Sequence, residues 1–198
     1  MRLGRNMGRI ARVWGIALLL AGCGLGTPSP SPPLPAAALD DDDHLAWAED
    51  EPYVVVVRKT CRTLDLYRQG YRIRSYPAVF GLSSPGTKLY EGDLRTPTGL
   101  YAIIDKRQHR RWRHFLLLDY PNLEDRHRYW LAMDTGAIPR RGDHYAGVGG
   151  AVGIHGTDKP ELNERGVDWT LGCISVANRA IDELAILVPV GTLVLIED

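Results

Sequence analysis

Gly153-Ile154-His155-Gly156-Thr157 and, 18 residues after the histidine, the cysteine of Asp168-Trp169-Thr170-Leu171-Gly172-Cys173-Ile174-Ser175-Val176 decide how this chain is read. A short apolar run ending in histidine reads as a buried strand with an imidazole at its mouth, and a cysteine in a glycine-flanked turn ahead of a helix reads as a presented thiol. Taken singly, a cysteine is usually a small buried hydrophobe and a histidine on an apolar strand a satisfied core residue. Together, in this order, they predict a nucleophile and its base brought side by side by the fold. The imidazole favours the reactive thiolate and can later protonate a leaving amine. The glycine before the cysteine predicts that the amides of Gly172 and Cys173 face a developing oxyanion.

Working outward, the runs around this pair are β-like. Val54–Val57 is a β-branched run, Leu64 and Leu66 alternate with Asp65 and Tyr67, and Gln69-Gly70 separates them from an alternating stretch through Tyr71, Ile73 and Ser75, which reads as a hairpin. Gly99–Ile104, Phe115–Leu118, Val152–His155 and Thr192–Ile196 are further strands punctuated by Pro and Gly. One helix is predicted from Asn122, with Asp125 three residues on. A second is predicted from Asn178, with Ile181, Leu184, Ala185 and Val188 on one face and Pro189 ending it. The expected fold class is mostly β with short helices, one domain over residues 53–198, and no repeat of fixed period.

These residues resemble the YkuD-type L,D-transpeptidase family, whose signature is a His-Gly-Thr-like element followed by Ser/Thr-His-Gly-Cys and a hydrophobic residue. The resemblance runs from about Tyr53 to Asp198. It includes the opening hairpin and Gly92-Asp93-Leu94-Arg95-Thr96-Pro97-Thr98-Gly99, which is similar to the family's Gly-Asp-x-x-Thr-Pro-x-Gly. It implies a β-sandwich or barrel, Cys173 as nucleophile and His155 as base. It also implies that Gly172, Gly156, Thr157, Thr170 and Ser175 contact substrate or its oxyanion. Leu171 stands where many members have histidine and Ser175 where many have arginine, so the chain looks like a branch in which substrate contacts differ.

The implied substrate is the peptide stem of peptidoglycan. Cys173 would attack the carbonyl of the L-centred residue before a terminal D-amino acid and form a thioester. An amine from another stem, or from a wall-attached protein, would then give a cross-link, and water would give carboxypeptidase or detaching activity. A wall-binding lipoprotein that kept the fold without turnover is the non-enzymatic alternative. Gly156 main chain or Thr157 is expected to orient His155, and Cys61 is expected to stay apart from Cys173, in or beside a strand.

The net charge of zero hides segregation. Residues 1–23 hold Arg2, Arg5, Arg9 and Arg12 without an acid, residues 24–52 hold seven acids without Lys or Arg, and residues 53–198 carry a net of +3. That excess is too small for a dedicated nucleic-acid binder. The apolar stretch Val13–Ala21 covers only about 14 Å as a helix, too short to span a bilayer of about 30 Å, so residues 1–22 read as an export signal. Leu20-Ala21-Gly22-Cys23 resembles a bacterial lipobox, implying lipidation at Cys23 and a membrane partner through that anchor. Gly24 in second place favours the outer membrane over the inner, facing the periplasm. Residues 23–52, with five prolines between Pro28 and Pro35 and the run Asp40–Asp43, read as a tether reaching on the order of 90 Å.

No cofactor is expected. Gly147-Val148-Gly149-Gly150 is followed by a strand where a nucleotide loop needs a helix. His109, His114, His127 and His144 lack ligand spacing for zinc, and Asp40–Asp43 with His44 reads as a solvated charge run. Arg107–His114, six of them basic or histidine around Trp112, reads as a solvated loop.

Overall fold

In a computed structural model of the chain the described residues are 44–198; residues 1–22, read above as an export signal, Cys23 and the expected tether as far as residue 43 lie outside them. The fold class is as expected, mostly β, and eight strands close into a barrel. In sequence the strands are β1 (Val54–Arg58), β2 (Thr63–Arg68), β3 (Tyr71–Val79), β4 (Gly99–His109) and β5 (Arg113–Leu118), then α1 (Leu123–Asp134). A two-stranded ribbon of β6 (Arg140–Arg141) and β7 (His144–Tyr145) precedes β8 (Gly153–His155), α2 (Pro160–Glu164), β9 (Ile174–Val176), α3 (Asn178–Leu187) and β10 (Leu193–Glu197). Around the barrel the order is β1, β10, β4, β5, β8, β9, β3, β2, and β2 closes on β1.

The unbroken Val54–Val57 run has a physical reason. Val55 and Val57 point into the barrel core with Leu64, Leu66, Tyr101, Ile103, Ile154 and Ile174, whereas Val54 and Val56 belong to a second apolar cluster with Leu45, Ala48 and Tyr67. Both faces of β1 are therefore covered. The covering strap is a 3₁₀ turn, Ala46–Ala48, pinned where Leu45 N–H donates to Gly70 O (2.7 Å). The ordered domain thus starts earlier than position 53: Leu45 and Ala48 are fully buried, so residues 44–52 are wall and not tether.

Gln69 and Gly70 have φ of +49° and +80°, the backbone twist that a two-residue hairpin requires, and β2–β3 is the predicted hairpin. Asn122 caps α1, accepting from the Glu124 and Asp125 amides while Asp125 accepts from its own. Asn178 does not cap α3. Ala177 holds that place, and the Asn178 side chain instead clamps Thr157, accepting from its N–H (2.8 Å) and donating to its carbonyl (3.0 Å). Residues 105–109, of which 107–109 were expected in a loop, extend β4 and pair with β5 from Asp105↔Leu117 to His109↔Arg113, which projects the basic segment as a hairpin.

Two features of this topology build the site. β8 and β9 lie parallel and adjacent with Ile154↔Ile174 and His155↔Ser175 in register, so the 18-residue gap is a crossover through α2. β5 pairs on the other side of β8 with Phe115↔His155.

Candidate active site

Cys173 immediately precedes β9, two residues before the partner of His155. Residues two apart share a face of a strand, so the thiol and the imidazole project from the same face of the β8–β9 pair. Both line one cavity of about 550 Å³, with Arg107, Arg111, Trp112, Lys159 and Trp169 among its walls.

The turn that carries the cysteine is sewn down from several directions. Asp168 accepts from the Phe80 amide (2.8 Å) and pairs with Arg62 (2.6 Å). Thr170 exchanges backbone hydrogen bonds with residues 80 and 82 (3.0 and 3.1 Å), and its hydroxyl donates to Cys173 O (2.7 Å). Gly172 has φ +139°, and a Cβ there would sit 2.7 Å from the Arg95 carbonyl. Only glycine lets the turn close on that backbone. The Gly92–Gly99 segment is thus the bed of the turn. Asp93 folds it by accepting from the amides of Leu89, Tyr90 and Arg95, and it holds the buried Lys88 ammonium at 2.8 Å.

The Cys173 sulfur lies within hydrogen-bonding reach of the Gly153 N–H and 3.7 Å from the Ala151 carbonyl. Burial pushes the thiol pKa up, while the Gly153 N–H and the Lys88 charge pull it down. His155 is 1% exposed, and burial drives its pKa down to about 4; His109 pushes the same way, and the Gly156 carbonyl and Asp158 oppose. The resting pair at neutral pH is therefore thiol and neutral imidazole. Its Nδ1 lies 2.6 Å from the Gly156 carbonyl, which can only accept, so Nδ1 carries the proton and Nε2 the lone pair.

Aromatic rings enclose the imidazole. Trp112 stacks on it with centroids 4.3 Å apart, Phe115 lies beside it at 5.9 Å as the strand register requires, and Trp169 meets it edge-on at 5.7 Å. His109 stacks on the far face of Trp112 at 4.5 Å. Arg111 pairs with Asp158, which also accepts from the Trp112 indole (3.3 Å), and Lys159 lies over Trp169. A smaller cavity of about 250 Å³ adjoins the turn on its other side, lined by Lys88, Glu91, Arg141 and the Gly149–Gly150 loop; Ala151, Leu171 and Cys173 border both cavities.

Several residues expected at the substrate sit elsewhere. Ser175 is fully buried, and its hydroxyl is used by Gly156 O and Asn163; Gly156 and Thr157 are buried behind the histidine, with Gly156 packed on Asn178, Trp112 and Ile181. None of the three lines a cavity beside Cys173. The Gly172 amide is not aimed at an oxyanion, because it donates to Thr170 Oγ1 (3.1 Å). Thr170 does line the larger cavity, but its hydroxyl faces the turn. Arg107, His109, Arg111 and Trp112, read as solvated loop, are cavity wall. No apolar alternation marked it, because residues 105–109 are Asp, Lys, Arg, Gln and His and the β4 register shifts between Ile103 and Asp105. Cys61 is an exposed free thiol in the β1–β2 turn, and Cys173 is free. Among the described residues no group of His, Cys, Asp and Glu is placed to hold a metal ion.

Comparison with known proteins bears on this arrangement. The sequence profile of the L,D-transpeptidase catalytic domain, YkuD, matches residues 51–196. A Bacillus licheniformis protein named for L,D-transpeptidase YkuD is 30% identical over 142 residues, which is 71% of this chain and 63% of that one. Among solved structures, the helical cell shape determining protein Pgp2 of Campylobacter jejuni superposes with a TM-score of 0.51 at 23% identity, covering 74% of this chain and 47% of that one. Bd1075 of Bdellovibrio bacteriovorus gives the same TM-score and identity, over 74% of this chain and 48% of that one. These two structural likenesses concern the fold. The chain spans less than two thirds of the length of each of these relatives.

Proposed function

The chain belongs to the YkuD family of L,D-transpeptidase catalytic domains, and we propose that it transfers acyl groups of peptidoglycan stem peptides through a thioester on Cys173. The observation that carries this reading is the shared face of β8 and β9, which points a thiol and a neutral imidazole with a free Nε2 into one cavity.

In the proposed reaction the Cys173 sulfur attacks the carbonyl carbon of the L-centred residue as His155 Nε2 takes the thiol proton. The tetrahedral intermediate collapses to a thioester. The terminal D-amino acid leaves through its amine nitrogen, which receives that proton from His155. An acceptor amine then attacks the thioester, loses a proton to His155 and restores the thiol. Because both partners rest neutral, the proton moves as the bond forms. Arg107, Arg111 and Lys159 give the larger cavity a positive rim suited to the carboxylates of a stem peptide, and the second cavity bordering Cys173 offers an approach for the acceptor. The oxyanion falls to the amide of Cys173, since that of Gly172 is engaged by Thr170.

We further propose export and lipid anchoring at Cys23, with periplasm-facing attachment to the outer membrane, from the lipobox-like sequence and Gly24. The test of function is to incubate the protein with labelled tetrapeptide stems, with and without amine acceptors. Cross-linked product supports transfer; released D-amino acid with no acceptor incorporated makes it a hydrolase; stem binding without any product makes it a wall-binding protein. Turnover that survives Cys173→Ala rejects the nucleophile.

A further inference from the structure

Behind His155 a line of polar groups runs inward from Trp169 in the wall of the larger cavity, and its Asn163, Ser175 and Gly156 members line neither cavity. The Trp169 indole N–H donates to Asn163 Oδ1 (3.0 Å), Asn163 Nδ2 donates to Ser175 Oγ (3.2 Å), and the Ser175 hydroxyl donates to Gly156 O (3.2 Å). That carbonyl is the one held by His155 Nδ1 at 2.6 Å. Ser175 is 0% exposed and Asn163 8%, so no water competes freely for these bonds.

Elementary donor and acceptor chemistry fixes the direction of every proton. An indole only donates, so Asn163 turns its oxygen to Trp169 and its amide nitrogen to Ser175. Ser175 Oγ accepts from that nitrogen and sends its own proton to Gly156 O. The same peptide plane is held at its other end, where Thr157 N–H donates to Asn178 Oδ1 (2.8 Å). Gly156 needs this restraint. A Cβ at that position would lie 2.5 Å from Asn178 Oδ1 and 2.6 Å from the Trp112 carbonyl, so the site admits only glycine, whose peptide plane has the most freedom to turn.

We propose that Ser175 and Asn163 are positioning residues for His155: by locking the Gly156 carbonyl they fix the angle of the imidazole and keep Nε2 over the thiol. Trp169 closes the circuit, since the indole that starts the line also meets the imidazole edge-on. Ser175 is directed inward, and the buried line is what that serine makes. The inference rests on the reading of His155 as the base for Cys173.

The test uses two variants and a probe that needs no peptidoglycan. Ser175→Ala removes the donor to Gly156 O. Asn163→Asp keeps the shape but replaces the amide donor by an acceptor, which draws the Ser175 proton away from Gly156 O. The rate of alkylation by iodoacetamide is read by mass spectrometry on the Cys173 peptide alone, because Cys61 is also a free thiol. Each variant is measured with His155 present and in the His155→Ala background. Expected is a slowing of about 10-fold with His155 present and less than about twofold without it, because residues that act through one partner are not additive. Equal slowing in both backgrounds, or none in either, overturns the inference while leaving the His155–Cys173 pair intact. Alkylation indifferent to His155→Ala overturns both. Should either variant fail to fold, the wild-type His155 Nδ1 proton is followed by NMR: exchange as slow as that of core amides supports the locked carbonyl, and fast exchange contradicts it.

Discussion

The indole of Trp112 and the imidazole of His155 lie face to face, 4.3 Å between centroids and 18° from parallel. Trp112 reaches this place from the β4–β5 turn, and its own carbonyl accepts from the Gly156 amide (3.1 Å), so ring and backbone both seal the histidine from water. Desolvation is the first cause of the low imidazole pKa.

Trp112→Ala should therefore raise the His155 pKa from about 4 toward its ordinary value near 6.5. NMR titration of the imidazole checks this directly, and the acid limb of the alkylation rate at Cys173 should move up in parallel. An unchanged midpoint would mean that the ring stack is not what excludes water.

The same burial predicts a pH-dependent stability. The folded imidazole stays neutral down to about pH 4, whereas the unfolded one takes up its proton near pH 6.5. The unfolded chain binds more protons in that window, so this contribution is fully present above about pH 6.5 and is lost as pH falls to about 4. Its size is about 3 kcal/mol. Urea unfolding at neutral pH and near pH 4.5 should show a larger loss for the wild type than for His155→Gln, which has nothing to titrate there.

Gly172→Ala should misplace the Cys173 thiol. The φ of +139° and the 2.7 Å approach of a Cβ to the Arg95 carbonyl leave no room without moving the turn. A stability cost of about 1–3 kcal/mol and a loss of Cys173 alkylation of about 100-fold are expected. Alkylation at the wild-type rate would show that the turn tolerates a side chain.

A chain beginning at Tyr53 should be less stable than one beginning at His44. Removing the strap uncovers Val54, Val56 and Tyr67 and forfeits Leu45, whose burial alone is worth roughly 1.5–3 kcal/mol. Thermal unfolding of the two chains compares them, and equal midpoints would contradict the packing.

What was legible in the sequence followed local chemistry. The Val54–Val57 run, the Gln69-Gly70 hairpin and the Asn122 cap each depend on neighbours in the chain, and the expectation that the fold brings His155 and Cys173 to one cavity came from residue type and motif. What was hidden depends on contacts between distant segments. The strap at Leu45 looked like tether because only three-dimensional packing shows a second apolar face of β1 to cover. Ser175 and Thr157 looked like substrate contacts because they adjoin Cys173 and His155, yet the Ser175 hydroxyl is taken up by Gly156 O and Asn163, the Asn178 side chain clamps the Thr157 backbone, and neither residue lines a cavity. The Arg107–His114 segment looked solvated because its pairing partner lies across a hairpin.

The central claim is tested most directly by intact-protein and peptide mass spectrometry of the chain mixed with a tetrapeptide stem and quenched in acid. The account predicts an adduct equal to the stem lacking its terminal D-amino acid, located on Cys173 and formed far more slowly in His155→Ala. An adduct on another residue, or stem turnover undiminished in Cys173→Ala, would contradict it.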